Sequence, residues 1–499
     1  MNRPILRLYG LVAVLFALLV AFTSRWAVFE ASSLRENPLN ARRVLELERN
    51  PRGPIVAADG TVLARSVRSG ASSPGGESTY QRTYPTGELF AAPIGYAYVA
   101  PEDLGNTGLE RFRNKELTGE RGTNLQSVLD QLQGKEPQGD KVITTLEPAV
   151  QRAATEALGE HEGAVVALEP RGGAVLAMVS KPSYDPNALR SSARKQEQQR
   201  EMSASPPTKS EVNRATQFGY APGSTFKVVT ATAAIDTGAY TPESTVSGQN
   251  GIPISGVPLQ NDNGESFGPI TLTYALAHSV NTVWAQVAEH LGKRTLGRYM
   301  QRFGFDRKPQ LDYPAGEMSA SGEHAGERII APTSPQVDVG RMGIGQDKLA
   351  VTPLQMAEVA AAVANRGRLM APHMTGRIVD AEGRTVERIS PRVQSVVMKP
   401  ATAAAVRSMM EAVVNEGTGT AAQIPGVQVA GKTGTAQTQF GKAINNVWFI
   451  AFAPAASPRV AVAVTLKAVP GEGATFAAPV AKQVIESVLR TSGASGSAP

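Results

Sequence analysis

A serine and a lysine three residues apart, Ser224 and Lys227, stand in the stretch "APGSTFKVVTATAAI" (221–235), where Pro222 and Gly223 mark a helix start and the residues after the lysine are mostly apolar. Three residues is most of a helical turn, so the two side chains share a face, with Cβ atoms ~5–6 Å apart. A serine hydroxyl is a weak nucleophile and needs a base beside it. At a helix start it also meets unpaired backbone N–H groups and the positive end of the helix dipole. A lysine serves as that base only when neutral. Bringing an amine from ~10.4 to near 7 takes about 5 kcal/mol of selective destabilisation of the ammonium, and an apolar neighbourhood supplies it by desolvation. The pair therefore reads as nucleophile and proton acceptor. A plainer reading fits the same letters: Ser224 caps the helix and Lys227 snorkels to water. The spacing recurs in "SARK" (Ser192, Lys195), inside a polar stretch where the lysine would stay protonated.

Two further fragments bear on the choice. "AHSVNTVWAQVA" sets Ser279 and Asn281 before an apolar helical run. They are helix caps, or a hydroxyl that relays a proton to a leaving group and an amide that donates to a substrate amide. "VQVAGKTGTAQ" ends an alternating strand with Lys432, Thr433 and Gly434. Gly434 would let a substrate backbone pair closely along the strand edge. Lys432 and Thr433 would offer positive charge and a hydroxyl to a carboxylate, unless the strand simply ends in a solvated lysine. The overlapping "GVQVAGKT" (426–433) matches the phosphate-loop pattern G-x-x-x-x-G-K-T. That loop needs a strand before it and a helix after it. Here "VQVA" is itself strand-like and "TAQTQFGK" does not begin a helix, so a nucleotide hydrolase is the weaker alternative.

The elements around these residues suggest one sheet. "EGAVVALEPRGGAVLAMVS" (162–180) reads as two strands about a Pro-Arg-Gly-Gly turn, and further strands are expected at 426–433, 446–453 and 458–467. Helical patterns cover 224–237, 270–291, 353–365, 400–415 and 476–490. The order predicts an α/β sandwich, an antiparallel sheet flanked by helices. Residues 30–150 are polar and punctuated by Pro and Gly, with a hairpin expected about Asp59-Gly60 in "RGPIVAADGTVLA". Residues 190–213 read as a mobile loop. At the N-terminus, Arg3 and Arg7 precede an apolar run, Leu8 to Phe22. That run alone spans only ~23 Å, and it crosses a bilayer once Thr23 and Ser24 are included and Arg7 and Arg25 snorkel. With no small-x-small cleavage pattern after it, an uncleaved anchor is expected, leaving everything from about residue 27 outside the membrane. The division is 1–26 anchor, 27–150 pedestal, 151–490 catalytic domain and 491–499 disordered tail.

Composition removes other classes. There is no cysteine, which excludes disulfides, thiolate catalysis and cysteine-bound metal. The net charge of +6 comes from 50 basic and 44 acidic residues, with no basic block interleaved with aromatics, so no nucleic acid is expected. The five histidines (His161, His278, His290, His324, His373) are scattered, and neither metal nor cofactor is assigned.

In this order, S-x-x-K, S-x-N and K-T-G resemble the signature of penicillin-binding proteins and serine β-lactamases. "RGPIVAADGTVLA", "GLERFRNKELTG" (108–119), "YAPGSTFK" and "GIGQDKLAVTPLQMAEVAAAVANRG" (343–367) extend the resemblance over about 50–490. They are similar to class B penicillin-binding proteins, most of all the compact actinobacterial cell-elongation type. The resemblance implies a five-stranded transpeptidase fold on an N-terminal pedestal and a monofunctional D,D-transpeptidase. In it Ser224 would be acylated at D-Ala-D-Ala, with Lys227 as base. Ser279, Asn281 and Lys432 would form the proton and hydrogen-bond network. Thr433, Gly434 and Thr435 would line the substrate, and the N–H groups of Ser224 and Thr435 would form the oxyanion hole. Implied partners are peptidoglycan stem peptides, lipid-linked nascent glycan, β-lactams as covalent inhibitors, and a membrane glycosyltransferase of the shape, elongation and division type. The second motif is Ser-Val-Asn, without an acidic residue, and none of Glu317, Glu323 and Glu411 stands out as a base for deacylating water. A β-lactamase is therefore the weaker reading. A non-catalytic cell-wall scaffold is disfavoured because all three motifs are intact.

Overall fold

The computed structural model describes residues 2–25, 50–72, 78–97, 106–119, 139–190, 210–437 and 444–494. Ser192 and Lys195, most of the stretch expected to be a mobile loop, and the last five residues lie outside the described residues.

A five-stranded sheet forms the centre, in the spatial order Ala430–Gln437, Asn445–Ala453, Val460–Val469, Gly163–Leu168, Val175–Lys181. Every neighbouring pair is antiparallel. Four of its strands are mostly apolar because both faces are covered, whereas the edge strand Ala430–Gln437 carries Lys432, Thr433, Thr435 and Gln437. Alternation divides them between two cores. Val447, Phe449 and Ala451 pack with helices Pro148–Leu158 and Gly473–Ala494, whereas Trp448, Ile450 and Phe452 join the core built on Lys227–Asp236, Asn281–Arg302 and Pro353–Ala364. The expected sandwich is present.

Three expectations need correction. The strand expected at 426–433 runs from Ala430 to Gln437. Residues 424–427 instead close a tight turn, with an Ile424–Val427 bridge and Gly426 at φ 75°, so Lys432 and Thr433 lie inside the strand. A phosphate loop is thereby excluded, since the chain continues as strand where that loop would turn into a helix. The helix expected at 270–291 is two, Leu272–Ala277 and Asn281–Arg302, broken at Ser279. The closing helix extends to Ala494, so residues 491–494 are helical rather than tail.

A second sheet has the order Thr385–Arg388, Thr375–Val379, Lys141–Thr144, Ile55–Val56, Val62–Ser72, Ser78–Thr83. Its first two strands come from far beyond residue 150, so the chain crosses back and the sheet is not built from residues 27–150 alone. The expected hairpin about Asp59-Gly60 forms, with Thr61 N donating to Asp59 Oδ1 (2.9 Å). Here Arg52 and Arg82 clasp the buried Glu110, at 2.9 and 2.5 Å. At the N-terminus, helix Asn2–Ser24 reaches ~34 Å, and its Arg3–Ser24 part is long and apolar enough to cross a membrane.

Candidate active site

Ser224 lies in a 3-10 turn, Gly223–Phe226, and Lys227 begins the α-helix Lys227–Asp236. Residues i and i+3 eclipse in 3-10 geometry, so both side chains fall on one side. The turn is pinned on three sides. Gly223 N donates to Gly345 O (3.0 Å), Trp448 Nε1 to Ala221 O (2.9 Å) and Thr225 Oγ1 to Pro222 O (2.8 Å). Gly223 has φ 52°, and a Cβ there would sit 2.6 Å from Thr435 O, as one on Gly434 would sit 2.7 Å from Pro222 O. Only glycine at both places lets the Ser224 turn press against the edge strand. Ser224 is half-buried, and its side chain does not cap the helix.

Lys227 is fully buried, which excludes snorkelling. Its Nζ donates to Ser279 O (2.7 Å), Ser279 Oγ (3.2 Å) and Asn281 Oδ1 (2.6 Å). These partners are dipoles without charge. Burial therefore lowers the amine to about 7, with Asp262 opposing. A substantial neutral fraction exists near neutral pH, as a base requires.

Ser279 is not a helix N-cap; Val280 holds that place without a side-chain cap. Ser279 terminates the preceding helix. It has φ 58°, Ser279 N donates to Leu276 O (3.3 Å) and Val280 N to Ala275 O (2.9 Å). This is the pattern of a left-handed helix stop usually made by glycine. A side chain there costs about 1–2 kcal/mol, and the strained turn aims both the carbonyl and the hydroxyl at Lys227.

Lys432 is also fully buried, its Nζ donating to Thr433 O (3.1 Å) and Thr433 Oγ1 (3.3 Å). Burial first, and then the neighbouring Lys227, push its amine well below the ordinary range. Two amines so near one another in a dry pocket each oppose the other's charge. Gly434 and Thr435 continue the edge strand, and Thr435 Oγ1 accepts from Gly473 N (3.4 Å).

Two further residues join the site from distant segments. Thr418 shares a hydrogen bond with Thr433 (2.7 Å), and its N–H donates to Ala277 O (3.0 Å), joining the third motif to the helix that precedes the second. Asp262 accepts from Asn281 Nδ2 (3.3 Å). Asn281 also donates to Gln260 O (3.2 Å), so its expected donation to a substrate requires exchange of one of these bonds. No local pattern around Asp262 or Thr418 signals either contact. None of the three glutamates contacts Ser224 or Lys227, and both buried carboxylate oxygens of Glu323 lack a hydrogen-bond partner. Glu317 accepts from Gly108 N (2.9 Å), Glu323 is buried, and Glu411 pairs with Arg407 (3.5 Å).

Comparison with known proteins places the chain in a family. Residues 163–486 match the penicillin binding protein transpeptidase domain, and residues 52–142 the penicillin binding protein A dimerisation domain. The chain belongs to the penicillin-binding protein transpeptidase family. Within it, the peptidoglycan D,D-transpeptidase PbpA of Mycolicibacterium smegmatis is 35% identical, over 98% of this chain and 99% of the relative. That of Mycobacterium tuberculosis is 34% identical over 98% and 99%. Among solved structures, the penicillin G acyl-enzyme complex of M. tuberculosis penicillin-binding protein A aligns with TM-score 0.76 at 33% identity, covering 88% of this chain and all of that one. The imipenem acyl-enzyme complex aligns with TM-score 0.77 at 33% identity over 89% of this chain and all of that one.

Proposed function

We propose that this chain is a membrane-anchored, serine-type peptidoglycan D,D-transpeptidase. The observation that carries the reading is the buried, dipole-solvated amine of Lys227, one 3-10 turn from the accessible Ser224. Neutral Lys227 takes the Ser224 hydroxyl proton as Oγ attacks the carbonyl carbon of the penultimate D-alanine. The N–H groups of Ser224 and Thr435 hold the oxyanion; one such donor is typically worth ~3–4 kcal/mol. The intermediate collapses, the peptide C–N bond breaks, and the departing D-alanine amine takes a proton delivered from Lys227 through Ser279. An amine of a neighbouring stem then attacks the Ser224 ester and gives its proton to Lys227; the ester C–O bond breaks, and Lys227 returns that proton to Ser224 Oγ. A β-lactam enters by the same attack, but its amine stays tethered after ring opening, so the adduct persists.

Relatives with this name and their acyl-enzyme complexes support the reading. The domain matches are a dimerisation and a transpeptidase domain. Glycan polymerisation is therefore assigned to a separate membrane glycosyltransferase, and the N-terminal helix to a single anchor with the catalytic domain outside. The test is intact-mass and peptide mapping of the full-length protein after penicillin treatment. One adduct on the Ser224 peptide is expected, absent from Ser224→Ala; label retained in that variant would overturn the nucleophile.

A further inference from the structure

We propose that Asp262 is a positioning residue of the catalytic cluster: it fixes the Asn281 amide, and through it the Lys227 amine, and holds a negative charge at the mouth of the site. The inference rests on the reading of Lys227 as base.

The geometry begins with Asn281. Its Oδ1 accepts from Lys227 Nζ (2.6 Å), and its Nδ2 donates to Gln260 O (3.2 Å) and Asp262 Oδ1 (3.3 Å). A flipped amide would aim its oxygen at a carbonyl and a carboxylate and its N–H groups at the Lys227 amine. Asp262 therefore selects the one orientation that presents an acceptor to Lys227. The loop carrying it is held by its neighbour. Asn261 Nδ2 donates to Gly248 O (2.9 Å) and Glu265 O (3.0 Å), Asn261 N donates to Asn250 Oδ1 (2.7 Å), and Asn261 Oδ1 accepts from Thr282 N (3.0 Å). Thr282 is next to Asn281, so loop and helix start are tied in one register.

Asp262 is exposed, so water supports its charge. The buried Glu323 and Glu358, by contrast, are both pushed up to about 8 by burial. Among the described residues, the charged groups acting on Lys227 are few. Asp262 faces it from the loop and Lys432 from the edge strand. His278, before Ser279, stacks on Tyr274 with centroids 4.1 Å apart. At the far end of Lys227's own helix, Asp236 is engaged by Lys399 N and Thr402 Oγ1. Asp262 is the carboxylate that opposes desolvation at both buried amines. It thus keeps Lys227 basic enough to hold the serine proton while burial keeps it neutral often enough to accept one.

The experiment is the rate of acylation by a fluorescent penicillin, read from about pH 5.5 to about 9 on the full-length protein in detergent, at low and high salt. Asp262→Asn keeps an oxygen facing Asn281 and removes the charge. Its acid limb should move down by roughly half a pH unit, with the plateau within about 3-fold of wild type. Salt should move the wild-type limb toward that of Asp262→Asn. Asp262→Ala, which also releases Asn281, should shift the limb and lower the plateau about 10-fold; Asp262→Glu should restore the limb. A purely structural role would lower the plateau and leave the limb in place. An Asp262→Asn limb coincident with wild type overturns the assignment. A wild-type rate flat with pH overturns the Lys227 reading and this inference with it.

Discussion

Glu110, in the N-terminal unit, and Lys227, at the head of a core helix, both have no exposed surface, yet they meet burial in opposite ways. For Glu110 burial alone would raise the carboxyl, but Arg82 and Arg52 outweigh it and leave the group below its usual range, ionised. For Lys227 the partners are a hydroxyl, a carbonyl and an amide oxygen, and the amine falls to about 7. A buried charge given full counter-charge becomes a structural tie. A buried amine given only dipoles sheds its proton readily and becomes a reagent.

The contrast can be broken at its ends. Glu110→Ala leaves two guanidiniums facing each other in a dry site. Thermal unfolding should show a loss of about 3–5 kcal/mol, while the folded protein acylates at the wild-type rate; a loss below about 1 kcal/mol would remove the structural half of the comparison.

Lys227→Met should act the other way. Acylation should fall about 10²–10⁴-fold, while stability near pH 7 rises by roughly 2–4 kcal/mol because no amine need be desolvated. The sign of the pH dependence follows. Between about 7 and the unfolded value near 10.4, the unfolded chain holds a proton that the folded one has released. Wild-type stability therefore rises with pH across that window, and the advantage of Lys227→Met shrinks. Unfolding midpoints of the two proteins at pH 7 and pH 10 check this.

A smaller effect sharpens the same point at Ser279. Ser279→Gly relieves the left-handed backbone, whereas Ser279→Ala keeps the strain; both lose the hydroxyl. The glycine variant should be about 1 kcal/mol more stable than the alanine variant, with acylation reduced in both. Equal stabilities would show that the turn at φ 58° carries no strain worth relieving.

The parts of the site legible in the sequence were those whose chemistry is local. Ser224 and Lys227 are one turn apart, and the desolvating helix follows at once. Ser279 and Lys432 are legible as fragments, but their settings are not. Ser279 looked like the cap of the next helix because a serine in the glycine position of a helix stop leaves no glycine to notice. The alternation of "VQVA" points to a strand four residues before the one that forms, whereas Ala430–Gln437 is a strand rich in small residues and buried at nearly every position. Asp262, Thr418 and the return of Thr375–Arg388 to the pedestal sheet depend on contacts between distant segments. No local periodicity encodes them.

The central claim is that the resting enzyme can hold Lys227 as a free amine, and direct titration tests it. Side-chain 15N and 13Cε resonances of lysine, assigned by comparison with Lys227→Met, should give a midpoint near 7 for Lys227. An amine that stays cationic to above about pH 9 would contradict the account.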